Sequence, residues 1–517
     1  MLTRRQLLSS GALASSLGAL GLPHTAQASD ERPWNLLVIS SDEHNARFFG
    51  HRGHPVSTPN LDRLAGQGLS LDRVYTSSPI CAPTRASFLT GLWPQEHQQL
   101  NNSSILDPGH YTMSSFFTEL GYDTACFGKL HTNADESRES FGFRELLTSK
   151  SGQRWEEISK ARSDNSAGPA WRDPVDEVTL TGPFRRMLGR VQPRIGQNRD
   201  HVLLEESRSW LEQDRDKPFF LYSSFLTPHY PFTLPEDFYH LYDPAKIELP
   251  DPVDLAELTA RSPAAAASLA RCGWSKADPK QSRTALARYM GCVSFLDHLV
   301  GELMDSLEAS GQAERTLIVY ASDHGDQAAE QGLWLKSVMF DGACRKPVIL
   351  RMPGVLEAGS RSCAPVNEVD LLPTLAGLMG LGGQLPLAEI SGRSQADLLL
   401  AEGGVEPGLE HLADLLPRQR AYSHLGFSHA QPWTSLVATE RFKLTRTTDD
   451  TGRVTSRELY DLDEDPAERT SLADRGEYTA LIEELEGGLD EHLAGLREPP
   501  FAHRKLSKEG PESVASL

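Results

Sequence analysis

Apolar positions along this chain gather into short continuous runs. The first is Asn35-Leu36-Leu37-Val38-Ile39-Ser40. Comparable runs recur at Thr124-Ala125-Cys126-Phe127, Phe219–Phe225, Thr316–Ala321 and Pro347–Arg351. Runs of this length fit strands covered on both faces, the environment of a parallel sheet. Between them the hydrophobic period becomes helical, notably over Ser115–Leu120, His201–Glu212 and Ala285–Ser310. Thr58-Pro59-Asn60 opens a further helix to about Gly66, and Gln67-Gly68 closes it. Strand and helix in alternation predict an α/β fold with a mostly parallel central sheet flanked by helices.

The pattern changes after about residue 395. Trp433–Thr439 reads as a strand; Arg441–Thr447 and Arg453–Leu462, joined at Asp449-Asp450-Thr451-Gly452, read as a hairpin. A helix over about Tyr478–Leu496 follows. These elements predict a smaller C-terminal α+β subdomain with an antiparallel sheet, residues 395–517, after a larger α/β domain at 33–394. Two stretches read as insertions: a polar one from about Ser149 to Asn198, and Asp251–Ser282, rich in Ala, Pro and Asp. Long loops of this kind in an enzyme are often lids.

The N-terminus has its own grammar. Arg4-Arg5 precedes a modest apolar stretch from Leu7 to about Leu22, and Ala26-Gln27-Ala28 offers a small-x-small cleavage site. This is the layout of a bacterial signal peptide over residues 1–28, and the paired arginines favour the twin-arginine export machinery. The expected location is therefore periplasmic or secreted. No stretch is long and apolar enough for a membrane span. The formal charge of −20 argues against nucleic acid as a partner, while leaving room for a local basic pocket. The six cysteines lie far apart and form no C-x-x-C pair; their even number permits disulfides whose pairing spacing cannot define.

Charged residues follow the ends of the predicted strands, where ligands bind in open parallel sheets. Asp42-Glu43 follow the first, Gly128-Lys129-Leu130-His131 the second, Thr227-Pro228-His229 the third and Asp323-His324-Gly325-Asp326 the fourth. Each alone reads as a capped turn with solvated charges; all of them together point to one rim. Asp42, Glu43, Asp323 and His324 supply three carboxylates and an imidazole, an oxygen-rich set suited to Ca²⁺, Mg²⁺ or Mn²⁺. Arg85, Lys129, Lys336, His131 and His229 add cations, which beside a divalent metal indicate an oxyanion substrate. Cys81 precedes a predicted helix from Pro83 or Thr84, whose N-terminus favours anions. The plain alternative for Cys81 is a buried free thiol.

The run Cys81-Ala82-Pro83-Thr84-Arg85-Ala86-Ser87-Phe88-Leu89-Thr90-Gly91 closely resembles the C-x-P-x-R motif of the formylglycine-dependent sulfatases of the alkaline phosphatase-like superfamily. The resemblance extends in order from Trp34 to Leu472. It takes in Asn35–Glu43, Thr58-Pro59-Asn60-Leu61-Asp62, Gly128-Lys129-Leu130-His131, Pro228-His229, Ser322–Asp326 and Glu458–Pro466. It differs in Glu43 and His324, where many members carry Asp and Asn, and in Gln331, where a histidine is common.

The resemblance implies hydrolysis of a small-molecule or carbohydrate sulfate ester to alcohol and sulfate. Cys81, oxidised by a formylglycine-generating enzyme, becomes the nucleophile. Asp42, Glu43, residue 81, Asp323 and His324 bind one divalent metal, with Ca²⁺ preferred. Arg85 and Lys129 hold the nucleophile, His131 acts as base, and His229 with Lys336 serves the leaving oxygen. Formylglycine-dependent phosphonate monoester and phosphodiester hydrolases share the fold and form the second reading. A sulfated-glycan binding protein and a thiol hydrolase are the third and fourth.

Overall fold

Asn35–Asp42 (β1) is buried along its whole length at the centre of the main sheet. The computed structural model describes residues 33–134, 141–148, 184–192, 195–274, 277–402, 419–426 and 433–497. The export segment 1–28 and residues 149–183 of the first expected insertion lie outside the described residues. After β1 come Leu69–Tyr75 (β2), Asp123–Gly128 (β3), Glu145–Leu147 (β4), Leu188–Gln192 (β5), Phe219–Pro228 (β6), Phe232–Pro235 (β7) and Thr316–Ser322 (β8). Arg345–Arg351 (β9), Ser360–Ser362 (β10) and Val366–Asn367 (β11) complete the first part.

Among the described residues nine of these eleven strands build one sheet in the order β10-β2-β9-β8-β1-β6-β3-β4, with β11 also on β2, while β5 and β7 pair with each other apart from it. The β1 register places Leu37 opposite Leu221 on β6 and Ile318 on β8, both parallel. Only β9 runs against its neighbours β8 and β2. The expected mostly parallel α/β sheet is thus present. The reversal of β9 has a physical source: no crossover helix separates it from β8, so the chain returns along the same edge. β2 escaped the pattern reading because Asp72 and Arg73 interrupt its apolar run.

Successive side chains of a strand point to opposite faces, and β1 serves two cores accordingly. Leu37 and Ile39 join a cluster with helices Pro59–Gly66 (α1), Arg199–Leu211 and Pro279–Ala309. Leu36 and Val38 join the cluster on the other face, which includes Ala86 and Leu89 of the helix Cys81–Thr90 (α2). Asn198 caps the helix Arg199–Leu211 (α3) through Asp200 N–H, and Asp278 caps Pro279–Ala309 (α4) through Lys280 N–H. Such caps satisfy donors that a helix start leaves unpaired.

The second expected insertion, Asp251–Ser282, is not an irregular loop. It holds two helices, Leu255–Arg261 and Pro263–Cys272. Asp254 and Ser262 are their N-caps, Pro263 occupies the first helical turn where its missing N–H costs nothing, and the alanines propagate the helix. The prolines that suggested a loop are start signals. The six cysteines are all outside disulfides.

Ala421–Leu425 (β12), Trp433–Ala438 (β13), Phe442–Thr448 (β14) and Val454–Asp461 (β15) form a separate antiparallel sheet in that order. Thr479–Gly495 (α5) covers one face through Ile482, Leu485 and Leu489 against Val437, Leu444 and Leu459. The strand β12 was not expected from the pattern. Among the described residues no helix is long and apolar enough to cross a membrane.

Candidate active site

The chemistry collects where β1, β3, β6 and β8 end. Asp42 is the last residue of β1, two beyond the expected strand end, and Glu43 follows with φ of 71°. Gly128 ends β3 with φ of 119°, and a Cβ there would stand 1.8 Å from the Ser224 carbonyl oxygen. Only glycine fits so close to β6 in this conformation. The Lys129 N–H then donates to the same carbonyl at 3.1 Å, which sends the lysine over the sheet edge. His229 follows β6, and Asp323-His324 follow β8. Cys81 is the first residue of α2, whose N-terminus faces this edge.

Arg85 lies at the middle, 2% exposed. Its Nε donates to Asp323 Oδ2 at 2.9 Å and its Nη2 to Asp42 Oδ2 at 3.1 Å. Its Nη1 donates to the Lys129 carbonyl at 2.8 Å and to Ser224 Oγ at 2.9 Å. Lys129 Nζ donates to Asp42 Oδ2 at 2.5 Å. Lys336 Nζ and His229 Nε2 lie 3.3 and 3.6 Å from Glu43 Oε2. The Cys81 sulfur is 3.7 Å from Asp42 Oδ1 and 3.2 Å from His324 Nε2, and His131 hydrogen-bonds to it. Asp323 Oδ1 accepts the N–H groups of Glu43 and His324 at 3.0 and 2.8 Å. All the sequence-predicted site residues therefore meet in one place.

Their ionisation follows from burial and these neighbours. Burial and the Cys81 sulfur push the Asp42 carboxyl up, but Lys129, His229 and Arg85 outweigh them and hold it well below the usual carboxylate range. Burial drives Glu43 well above its ordinary value against the pull of Lys336. Burial also raises the Cys81 thiol, yet Lys129, Lys336, His324 and the His131 hydrogen bond bring it well below the ordinary thiol value. Burial lowers His131 and His229, helped by Lys129 and Lys336 respectively. His324 goes the other way: burial disfavours its charge, but Asp323 and Cys81 raise it to about 9. The field thus favours negative charge at position 81.

The donor set fits a divalent cation. Ligand atoms of Asp42, Cys81, Asp323 and His324 lie within 4.8 Å of one another, and Asp42, Glu43 and His229 form an adjoining group. Glu43 Oε1 is buried with no hydrogen-bond donor. A carboxylate oxygen left bare in the interior is costly unless a cation meets it. Oxygen-rich, partly imidazole donors suit the hard divalent ions.

Two further residues contribute, Asn102 with no sequence signal and Asp326 from the strand-end run after β8, to which no role had been given. Asn102 Oδ1 accepts the Ala82 N–H at 3.0 Å in the first turn of α2, while its Nδ2 is buried and unpartnered. It sits in a polar Asn101-Asn102-Ser103-Ser104 stretch with no period to mark it. Asp326 Oδ1 accepts the N–H groups of Ala328 and Leu335 at 2.6 and 3.0 Å, fixing the backbone just before Lys336. Gln331, at the position where a histidine was expected, instead donates to the Ala467 and Glu468 carbonyls.

The family model described as Sulfatase matches residues 34–381. The model described as N-sulphoglucosamine sulphohydrolase, C-terminal, matches residues 329–495. A choline-sulfatase of Rhizobium meliloti (strain 1021) is 27% identical over 456 residues, 85% of this chain and 82% of its own. An arylsulfatase of Clostridium perfringens (strain 13 / Type A) is 26% identical over 509 residues, 93% of this chain and 98% of its own. The crystal structure of the phosphonate monoester hydrolase of Agrobacterium radiobacter shares the fold, with a TM-score of 0.74 at 24% identity, over 93% of this chain and 99% of that one.

Proposed function

The chain belongs to the sulfatase family and is a sulfuric ester hydrolase, and on that footing we propose that it is an exported, metal-dependent sulfatase whose nucleophile is made from Cys81. The observation that carries the reading is the setting of residue 81. It heads α2, its side chain lies 3.7 Å from Asp42 and 3.2 Å from His324, and Lys129 and Lys336 stabilise negative charge on it. The substrate class is a small-molecule or carbohydrate sulfate ester.

A divalent ion, Ca²⁺ by preference with Mn²⁺ or Mg²⁺ as substitutes, supplies Lewis acidity, and formylglycine at position 81 supplies an oxygen nucleophile in place of sulfur. Asp42, Glu43, Asp323 and His324 hold the ion together with residue 81. Arg85 and Lys129 orient residue 81 and offset its charge. His131, kept neutral by burial and Lys129, accepts a proton from residue 81. Lys336 and His229, side by side over Glu43, stabilise or protonate the departing alcohol oxygen. Asn102 Nδ2, a buried donor without a partner, serves a non-bridging oxygen of the substrate. Catalysis belongs to residues 33–394, and the subdomain 395–517 shapes the approach of the alcohol half. A formylglycine-generating enzyme matures Cys81, and the Arg4-Arg5 segment directs twin-arginine export to the periplasm or beyond.

A second reading is hydrolysis of phosphonate monoesters or phosphodiesters at the same site. The likeness of fold to a phosphonate monoester hydrolase favours it. The test has two parts. The mass of the peptide carrying residue 81, from protein made in its native host, is expected to show sulfur replaced by an aldehyde oxygen. On that material kcat/KM for 4-nitrophenyl sulfate is expected to exceed that for a 4-nitrophenyl phosphonate monoester, and chelation to abolish both. An intact thiol in fully active enzyme overturns the nucleophile; a higher phosphonate rate selects the second reading.

A further inference from the structure

The geometry points to Glu468, in the turn after β15, as a positioning residue that sets Lys336 in the site. The inference rests on the reading that Lys336 meets the leaving oxygen.

Lys336 lies in the long loop joining β8 to β9. Gln331 stands five residues before it and Asp341 five after it. Glu468 grips both. Its main-chain carbonyl accepts Gln331 Nε2 at 2.8 Å, and its Oε2 accepts the Asp341 N–H at 2.6 Å. Its Oε1 pairs with Lys443 of β14. Lys443 Nζ in turn donates to Asp341 Oδ1 at 2.7 Å and to the Met339 carbonyl at 3.1 Å. One residue of the C-terminal part therefore holds the substrate loop at both ends, with its backbone on one side and its side chain on the other.

Glu468, Asp341, Lys443 and Gln331 are all buried. Glu468 also has φ of 56°, a left-handed conformation that a residue with a Cβ adopts at a cost. Buried ion pairs are poor sources of stability, because apolar residues of the same volume often serve as well. What the polar arrangement supplies is fixed geometry. Asp326 fixes the N–H of Leu335, and Ser337 N–H donates to the Pro79 carbonyl just ahead of α2. With the Glu468 clamp, both approaches to Lys336 are tied down. The clamp also accounts for Gln331, whose amide reaches the turn after β15.

The experiment uses the full chain with residue 81 matured, and measures kcat and KM on aryl sulfates whose phenols span a range of acidity. Misplacing a catalytic group by about 1 Å costs up to about 100-fold. Glu468→Ala and Gln331→Ala are expected to lower kcat by about 10- to 100-fold on the poorest leaving group. The loss should shrink to about threefold on the best, with KM within about twofold. Glu468→Gln, which keeps an acceptor for Asp341 N–H, is expected to recover most of the rate. In a Lys336→Ala background neither alanine variant should reduce the rate further. If Glu468→Ala does not fold, Gln331→Ala carries the test, since it leaves the buried charges in place. Equal losses on every leaving group, losses additive with Lys336→Ala, or full activity with a lowered melting temperature overturn the inference. A Lys336→Ala enzyme with unchanged dependence on the leaving group overturns the role of Lys336 beneath it.

Discussion

Replacing Lys129 with methionine separates the electrostatic part of the site from its architecture. The ammonium lies 2.5 Å from Asp42 Oδ2, and Lys129 is one of the groups that favour charge on residue 81. Methionine keeps the stem and removes the charge. Asp42 is not orphaned, because Arg85 Nη2 still donates to it at 3.1 Å. The side chains proposed to hold the metal, Asp42, Glu43, Asp323 and His324, all stay in place, with Asp42 losing one of its two cationic partners. Two unit charges about 4 Å apart, at an effective dielectric near 20, interact by about 4 kcal/mol, which sets the scale for a lysine acting on a neighbouring nucleophile. Removing one preorganised donor from an oxyanion site typically costs about 10²–10³ in rate, or about 2.7–4 kcal/mol. The two figures agree, so kcat/KM on 4-nitrophenyl sulfate should fall by about 10²–10³. Metal content measured by mass spectrometry and the thermal midpoint should stay near wild type. Arg85→Met offers the contrast: it takes from the buried Asp323 its only cationic side-chain donor on Oδ2 and leaves Asp42 to Lys129 alone, and removing one partner of a buried pair costs about 3–5 kcal/mol of stability. Wild-type turnover in Lys129→Met with full metal content would refute the reasoning.

Other consequences are as direct. His131 titrates below its ordinary value because of burial and Lys129, so the acid limb of the kcat/KM profile should lie below pH 6.5; in Lys129→Met it should move up in pH, and an unmoved limb excludes His131 as the base. Gly128→Ala forces a Cβ to 1.8 Å from a β6 carbonyl, so it should unfold the protein or abolish activity, as circular dichroism and turnover would record. His97 is buried and lowered from 6.5 to about 3, so the unfolded chain binds its proton first as the pH falls. Stability present above pH 6.5 should therefore drain away as the pH falls towards 3, and urea midpoints for His97→Gln should decline less steeply over that range than those of wild type.

Of the ten residues proposed for catalysis and metal binding, nine lie close after a strand end or in the run around Cys81, where local pattern and chemistry coincide; Lys336, in the long loop between β8 and β9, was placed by the family resemblance. The supporting residues were not. Lys443 is on a strand of an antiparallel sheet, where a lysine ordinarily faces water; its burial depends on Asp341 and Glu468, far away in sequence. Asn102 contributes through one hydrogen bond to Ala82, which no periodicity encodes. The helices at 255–261 and 263–272 were hidden because proline marks both a helix start and a loop, and only the cap geometry tells them apart. The direction of β9 depends on the path of its connection, while its composition matches that of any buried strand.

That reversed strand changes what the chain can vary. After a strand of a parallel sheet, the backbone must leave the ligand edge and travel to the opposite side before the next strand begins. Between β8 and β9 it does not: residues 323–344 depart from the ligand edge and come back to it. Asp323, His324 and Lys336 thus share a single segment anchored at both ends on the same rim. The entropy of closing such a segment grows only slowly with its length, each doubling costing about 0.6 kcal/mol. The segment's length is free of the threading of the sheet, and what fixes it is the set of contacts that Asp326, Gln331 and Asp341 make around Lys336. This stretch is accordingly where a new substrate preference can be grafted while Asp42, residue 81 and Arg85 keep their places.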